Sequence, residues 1–141
     1  VIALVLLILS LICDGVDGSV AIIGKRESKL GAIADSIADR ITEALWFAAI
    51  YQWGIPAEIC SALFALALVQ EYARARMASL GFAEIGVVTI AERPVRASAI
   101  AIFMVLELLD FSFAPIAIYI FTVMATFSVY QVMKAARGYL V

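Results

Sequence analysis

Four aspartates, arranged in two pairs, are the residues of this sequence best suited to chemistry. Asp14 and Asp17 lie three positions apart, and Asp35 and Asp39 lie four apart, so each pair shares one face of a helix. Both pairs stand in apolar stretches, where a carboxylate is costly and by default marks a functional site. Four carboxylates held together repel one another unless cations lie between them. The spacing therefore predicts a site for divalent ions.

Composition narrows the kind of ion. The 141 residues include no histidine, and the two cysteines, Cys13 and Cys60, have no ligand-like spacing. Ion binding and catalysis must then rest on carboxylates, which favour hard ions such as Mg²⁺ or Mn²⁺. Two such ions about 4 Å apart are a common device for phosphoryl transfer. We therefore expect two Mg²⁺ or Mn²⁺ ions, and neither a disulfide framework nor a zinc site.

The composition also indicates that the helices carrying these acids lie in a lipid bilayer. The chain is 65% hydrophobic and 16% charged, with a mean hydropathy of +1.07, whereas soluble domains are about half apolar and about a quarter charged. It shows no strand-like alternation. We expect one domain over residues 1–141, an all-α, polytopic integral-membrane bundle. A spanning helix needs about 20 largely apolar residues, and five of an expected six spans are visible: 1–21, 30–51, 57–78, 94–109 and 115–133.

The basic residues predict the orientation of these spans. They lie at or near the junction of spans one and two, flank the junction of spans three and four, and follow span five, which are all on one side of the predicted bundle: Lys25, Arg26, Lys29, Arg40, Arg74, Arg76, Arg93, Arg96, Lys134 and Arg137. The positive-inside rule makes this side cytoplasmic. Both aspartate pairs lie near it, so we expect a multi-pass protein of the cell membrane whose active site faces the cytoplasm. Five spans would leave Val1 outside, and we therefore expect a missing N-terminal span.

Small residues surround the acids, and they allow close packing of helices and close approach of a ligand to the backbone. With the aspartates they form a longer pattern. The stretch from Asp14 to Asp39 resembles the signature of the CDP-alcohol phosphatidyltransferases, D-x-x-D-G-x-x-A-R-x8-G-x-x-x-D-x-x-x-D. The positions that match in type and spacing are Asp14, Asp17, Gly18, Ala21, Gly31, Asp35 and Asp39.

The resemblance implies an enzyme that transfers a phosphatidyl group from CDP-diacylglycerol to an alcohol and releases CMP. It also implies six transmembrane helices, cytoplasmic termini and a homodimer, and we expect no nucleic-acid partner. By position, Asp14, Asp17 and Asp35 look like metal ligands, and Asp39 looks like a metal ligand that also takes the proton from the acceptor hydroxyl. The motif positions that would line the cytidine pocket are Gly18, Ala21 and Gly31.

One motif position departs from the family pattern. Ile22 stands where the family has arginine, which removes a cation from the phosphate end of the predicted site. Lys25 or Arg26, about one turn later, could substitute. A shifted function or an inactive subunit is the alternative that Ile22 leaves open.

A second basic cluster bears on the acceptor. Arg74 and Arg76 end span three, and Arg93 and Arg96 open span four; guanidinium groups match phosphate oxygens bidentately, although plain positive-inside anchoring would give the same pattern. The segments Y-A-R-A-R and E-R-P-V-R are similar to Y-x-K-A-R and E-R-P-E-R of actinobacterial phosphatidylinositol phosphate synthases. That resemblance implies that Arg74, Arg76 and Arg93 bind the acceptor phosphate, with Arg96 a less direct candidate.

The favoured reaction therefore uses inositol 1-phosphate as the acceptor and produces phosphatidylinositol phosphate. A close alternative uses glycerol 3-phosphate and produces phosphatidylglycerol phosphate. From another class, an ion or proton transporter would use the aspartates as a path, but such acids are expected near the bilayer midplane. The predicted position of the acids near the cytoplasmic end favours the enzyme.

Overall fold

The computed structural model describes residues 2–23, 29–82 and 89–140. Across these ranges the regular structure is helical: α1 (Ile2–Ile23), α2 (Lys29–Gln52), α3 (Ala57–Met77), a π-helical turn at Ala78–Phe82, α4 (Arg93–Leu108) and α5 (Ala114–Leu140). The predicted all-α class is confirmed for this part of the chain. The helix ends lie within a few residues of the predicted span ends, except that α5 continues to Leu140 where the sequence pattern predicted an end at residue 133.

The breaks between helices follow from local backbone chemistry. Gly54 has a φ of +96°, a left-handed conformation that glycine adopts without steric cost, and it turns the chain out of α2. Pro56 then takes the N-cap position of α3 with a φ of −55°, and Pro94 lies in the first turn of α4, where its missing N–H costs nothing. Asp110, with a φ of 56°, reverses the chain between α4 and α5.

Helix α4 lies at the centre of the described bundle. It packs against α1, α2 and α5, while α3 packs against α2 and α5. Ile100 and Phe103 on α4 and Ile118 and Phe121 on α5 are almost completely buried, and Phe103 contacts the Trp53 ring at a centroid distance of 6.3 Å. Because the buried face of α4 is fixed in this way, its first turn is directed towards the middle of α2.

The outer faces of the helices are apolar. On α2, Ile33, Ile37, Ile41 and Leu45 follow one another at four-residue spacing and are all exposed. Contiguous exposed apolar surface of this kind is rare on soluble monomers and is typical of contact with lipid or a partner.

Among the described helices, one is long and apolar enough by itself to cross a membrane, namely α5 over Ala114–Gly138; Ile2–Cys13 of α1 forms a shorter apolar helix. The five-span, polytopic arrangement therefore stays a prediction beyond α5, as does the expected sixth span. Helix α2 shows why a helix of this bundle does not meet the apolarity expected of a spanning helix. Its outer face is apolar, but it carries four charged residues along its length: Asp35, Asp39, Arg40 and Glu43.

Candidate functional site

The structure places the predicted metal-binding acids on two helices. Asp35 and Asp39 lie about one turn apart on α2, where Asp35 is exposed and Asp39 is partly buried. Asp14 and Asp17 lie on α1, but their side chains are outside the described part of the structure. The surroundings of the predicted cytidine-pocket residues of α1, Gly18 and Ala21, are outside it as well. Gly31 is exposed on α2.

The convergence of the four aspartates thus stays a prediction. Among the side chains that are described, no three acidic or cysteine groups form a metal-binding arrangement. The donor set itself suits hard divalent ions, since every predicted ligand is a carboxylate. Helix α1 also packs against α2, and Asp35 is exposed, as are all of residues 29–38.

Asp39 is in direct contact with one of the predicted phosphate-binding arginines. The Arg93 Nη2 atom lies 2.9 Å from Asp39 Oδ1, and the Arg93 guanidinium also lies over the Trp46 ring, 5.5 Å from its centroid. Arg40 is a second, more distant neighbour of the carboxylate at 3.9 Å. The side chains of Asp39 and Arg93 are 20% and 15% exposed, so the contact lies partly open to its surroundings.

A second ion pair lies one helical turn deeper, and its acid, Glu43, is not among the predicted site residues. Glu43 is completely buried and Arg96 is 2% exposed, with 3.0 Å between Arg96 Nε and Glu43 Oε1. Arg40 Nη1 approaches the other carboxylate oxygen of Glu43 at 3.1 Å, and Arg96 Nη2 approaches Glu71 Oε1 at 3.3 Å. The signal available in the sequence was the position of Glu43, four residues after Asp39 and on the same helix face.

Arg74 belongs to a third group of polar contacts, centred on Glu92. Both Nη atoms of Arg74 reach the Glu92 carboxylate, with 2.7 Å from Nη1 to Oε2. The Thr89 backbone N–H and hydroxyl also donate to Glu92 Oε1, at 2.7 and 2.9 Å, and the buried Gln70 amide donates to the Thr89 hydroxyl at 2.8 Å. These bonds attach the segment before α4 to the end of α3.

The ionisation of Glu92 follows from these contacts. Burial by itself raises the pKa of the carboxyl group, but the hydrogen bonds from Arg74 and from Thr89 outweigh it and lower the pKa to about 2. Glu92 is therefore a carboxylate at any physiological pH, and Arg74 faces a permanent negative charge.

The three predicted acceptor arginines therefore have different surroundings. Arg93 is, among the described side chains, the one of the three that contacts Asp39. Arg74 lies between Glu92 and Glu71, the latter at 3.7 Å. Arg76 is exposed on α3, and its Nη1 reaches the Ser79 hydroxyl at 3.5 Å. Phosphate binding by these three arginines stays a prediction. Arg93 is the best placed of them, because it lies beside Asp39, the predicted proton acceptor.

Comparisons with known proteins give a consistent assignment. The sequence model of the CDP-alcohol phosphatidyltransferase family matches residues 1–134. Among curated proteins, an archaetidylinositol phosphate synthase of Aeropyrum pernix is 42% identical over 79 residues, which are 56% of this chain and 41% of the relative. The matched region thus spans less than half of that relative's length. No solved structure matches the chain.

The Glu92 contacts lead to a stability prediction. Replacing Glu92 by glutamine should lower the free energy of unfolding by about 2 kcal/mol, because hydrogen bonds to a charged acceptor are lost. Since the pKa of Glu92 falls from 4.5 to about 2 on folding, the wild-type advantage is complete above pH 4.5 and is lost as the pH falls towards 2. Thermal unfolding in detergent, measured from about pH 8 down to about pH 3, would show the gap between wild type and Glu92→Gln shrink below pH 4.5.

A matched control for this measurement is Glu58→Gln. Glu58 is exposed in the first turn of α3, so its replacement should change the unfolding temperature little at any pH. A gap between wild type and Glu92→Gln that stays constant down to about pH 3 would contradict the assigned role of the Glu92 carboxylate.

Proposed function

The chain belongs to the CDP-alcohol phosphatidyltransferase family, and on that premise we propose that it transfers a phosphatidyl group from CDP-diacylglycerol to a phosphorylated alcohol. The observation that carries the proposal is the contact between Asp39 and Arg93. It joins a carboxylate that can accept a hydroxyl proton to a guanidinium that can bind a phosphate. A phosphorylated alcohol offers both partners in one molecule.

In the proposed reaction Asp39 takes the proton from the acceptor hydroxyl. The resulting oxygen attacks the phosphorus of the phosphatidyl group, the bond from that phosphorus to the CMP oxygen breaks, and CMP leaves. Asp14, Asp17, Asp35 and Asp39 would hold two Mg²⁺ or Mn²⁺ ions, which when bound neutralise the negative charge of the diphosphate. The exposure of Asp35 supports access of a nucleotide to this face of α2.

Inositol 1-phosphate is the acceptor that we favour. The support is twofold. Arg74 near the end of α3 contacts Glu92, which directly precedes Arg93 at the start of α4, and the curated relative is an archaetidylinositol phosphate synthase. Glycerol 3-phosphate also carries a phosphate beside a hydroxyl, so phosphatidylglycerol phosphate synthesis is the alternative within the class.

We also propose that the protein works as a multi-pass homodimer in the cell membrane, with the site facing the cytoplasm. The apolar outer face of α2 and the apolar length of α5 support the membrane location. A transporter is the less favoured alternative, because the described buried acids are each in contact with arginine and so are neutralised within the cluster.

The acceptor is tested by CMP release from vesicles that contain CDP-diacylglycerol. We expect the purified protein, with Mg²⁺ or Mn²⁺, to release CMP with inositol 1-phosphate, to release much less with inositol, and to stop when EDTA removes the metal. Faster release with glycerol 3-phosphate would favour the alternative acceptor. Ion flux across the vesicles without CMP release would contradict phosphatidyl transfer itself.

Asp39→Asn tests the proton acceptor. The amide cannot take the hydroxyl proton, so we expect turnover to fall by about 1,000-fold while thermal unfolding and gel filtration show a folded protein. Asp110→Asn is a matched control, because Asp110 is exposed and its positive φ suits asparagine equally. Turnover within a few-fold of wild type in Asp39→Asn would disprove the assigned role.

Arg93→Ala tests acceptor binding. Loss of a charge-assisted contact to the acceptor phosphate should raise the KM for the phosphorylated acceptor by about 10- to 100-fold, with little change in the KM for CDP-diacylglycerol. The control is Arg137→Ala, which removes an exposed arginine in the last turn of α5. An unchanged acceptor KM in Arg93→Ala would leave the arginine cluster as a topological anchor only.

A further inference from the structure

Two ion pairs connect α2 to α4, one helical turn apart. Asp39 and Glu43 are four residues apart on α2, Arg93 and Arg96 are three residues apart on α4, and the two contacts measure 2.9 and 3.0 Å. These spacings put the acids on one face of α2 and the arginines on one face of α4. The outer pair contains the proposed proton acceptor, whereas the inner pair, Glu43–Arg96, has no part in the proposed reaction.

We propose that Glu43 and Arg96 are positioning residues, which fix the register of α4 against α2 and thereby hold Arg93 beside Asp39. The proposal rests on the proposed function for the roles of Asp39 and Arg93, but not for the geometry of the inner pair. It assigns Arg96 a function different from phosphate binding, since a guanidinium that is 2% exposed is enclosed by protein.

The difference in burial gives the two pairs different behaviour. The outer pair is partly hydrated, at 20% and 15% exposure, so it can open and let Arg93 turn to an incoming phosphate. The inner pair is almost completely buried, and removing one partner from such a pair leaves an uncompensated charge inside the protein. The inner pair therefore stays closed while the outer pair opens.

The contacts around the inner pair resist sliding of the helices. A shift of α4 by one residue moves it about 1.5 Å along its axis, so the 3.0 Å contact between Arg96 and Glu43 cannot keep its present geometry unless the side chains move. Arg40 contacts the second oxygen of Glu43, and Glu71 on α3 contacts Arg96, so the inner pair also connects α2 and α4 to α3.

Stability by itself gives no reason for an ion pair at this place. Apolar side chains of similar volume often replace a buried ion pair with equal or better stability, but apolar contacts are non-directional. A buried ion pair penalises any register that separates its two charges, which is what a site assembled from two helices needs. This distinction between stability and placement can be measured.

The decisive variant replaces both inner residues, as Glu43→Met with Arg96→Met. We expect its unfolding temperature to stay within a few degrees of wild type and its KM for CDP-diacylglycerol to stay within about twofold. In contrast, kcat/KM for the phosphorylated acceptor should fall by about 10- to 100-fold, because a small displacement of a substrate-binding group has effects of that size. A stable double variant with wild-type acceptor kinetics would overturn the proposal.

Glu43→Asp covers the case in which the double variant does not fold. It keeps both charges but shortens the acid by one methylene, so α2 or Arg96 must shift to keep the contact. We expect a raised acceptor KM at near-wild-type stability, with Glu58→Asp, an exposed acid of α3, as the matched control. An acceptor KM equal to that of wild type in Glu43→Asp would overturn the positioning role.

A readout independent of catalysis separates this proposal from the proposed function. A double-mutant cycle on Asp39 and Arg93, read as changes in unfolding temperature, measures the coupling between the outer residues. We expect that coupling to be lost in the Glu43→Asp background and kept in the Glu58→Asp background. Coupling that persists unchanged in Glu43→Asp would overturn the proposal, whereas a wild-type protein that releases no CMP would overturn the proposed function only.

Discussion

The contact between Glu43 and Arg96 constrains the rest of the structure, because both charged side chains must be buried and must remain paired with each other. Both side chains are buried in an otherwise apolar bundle, where an unpaired charge would cost several kcal/mol. Helices α2 and α4 must therefore meet at the one height where these two groups face each other. Because α4 also contacts α1 and α5, this contact constrains the packing of most of the described chain.

The exposure of the acidic side chains on α2 rises from this buried pair towards the N-terminal end of the helix. Glu43 is enclosed, Asp39 is partly exposed and Asp35 is fully exposed, all at four-residue spacing on the same face. The bundle thus places a buried ion pair below the proposed proton acceptor and an exposed carboxylate above it. Such an arrangement suits a reaction between a lipid-linked nucleotide and a polar acceptor, which must reach the same carboxylates from different solvents.

The same pairing of charges explains why α5 has the apolarity expected of a spanning helix and helices α2, α3 and α4 do not. Helix α5 carries few charges and meets the length and apolarity expected of a spanning helix. Helices α2, α3 and α4 carry the acids and arginines that contact one another across their inner faces. A mean hydropathy taken over a whole helix includes both these inward charges and the outer face, which is apolar on α2. The mean therefore understates how apolar the outside of the bundle is.

What the sequence by itself determined depends on short spacings along the chain. The helical class, the gaps between the predicted spans at 52–56 and before residue 94, the shared face of Asp35 and Asp39, and the motif that indicated the family are all of this kind. Local periodicity and backbone restrictions suffice for them.

Only the tertiary structure decided which charges meet. It revealed Glu43 and Glu71 as partners of Arg96, joined Arg74 to Glu92, and brought Arg93, but not Arg76, to Asp39 among the described side chains. These contacts join residues up to 54 positions apart, and they depend on the rotation and register of whole helices. That rotation and register depend on how the helices pack and pair across the whole bundle, and no local spacing encodes them.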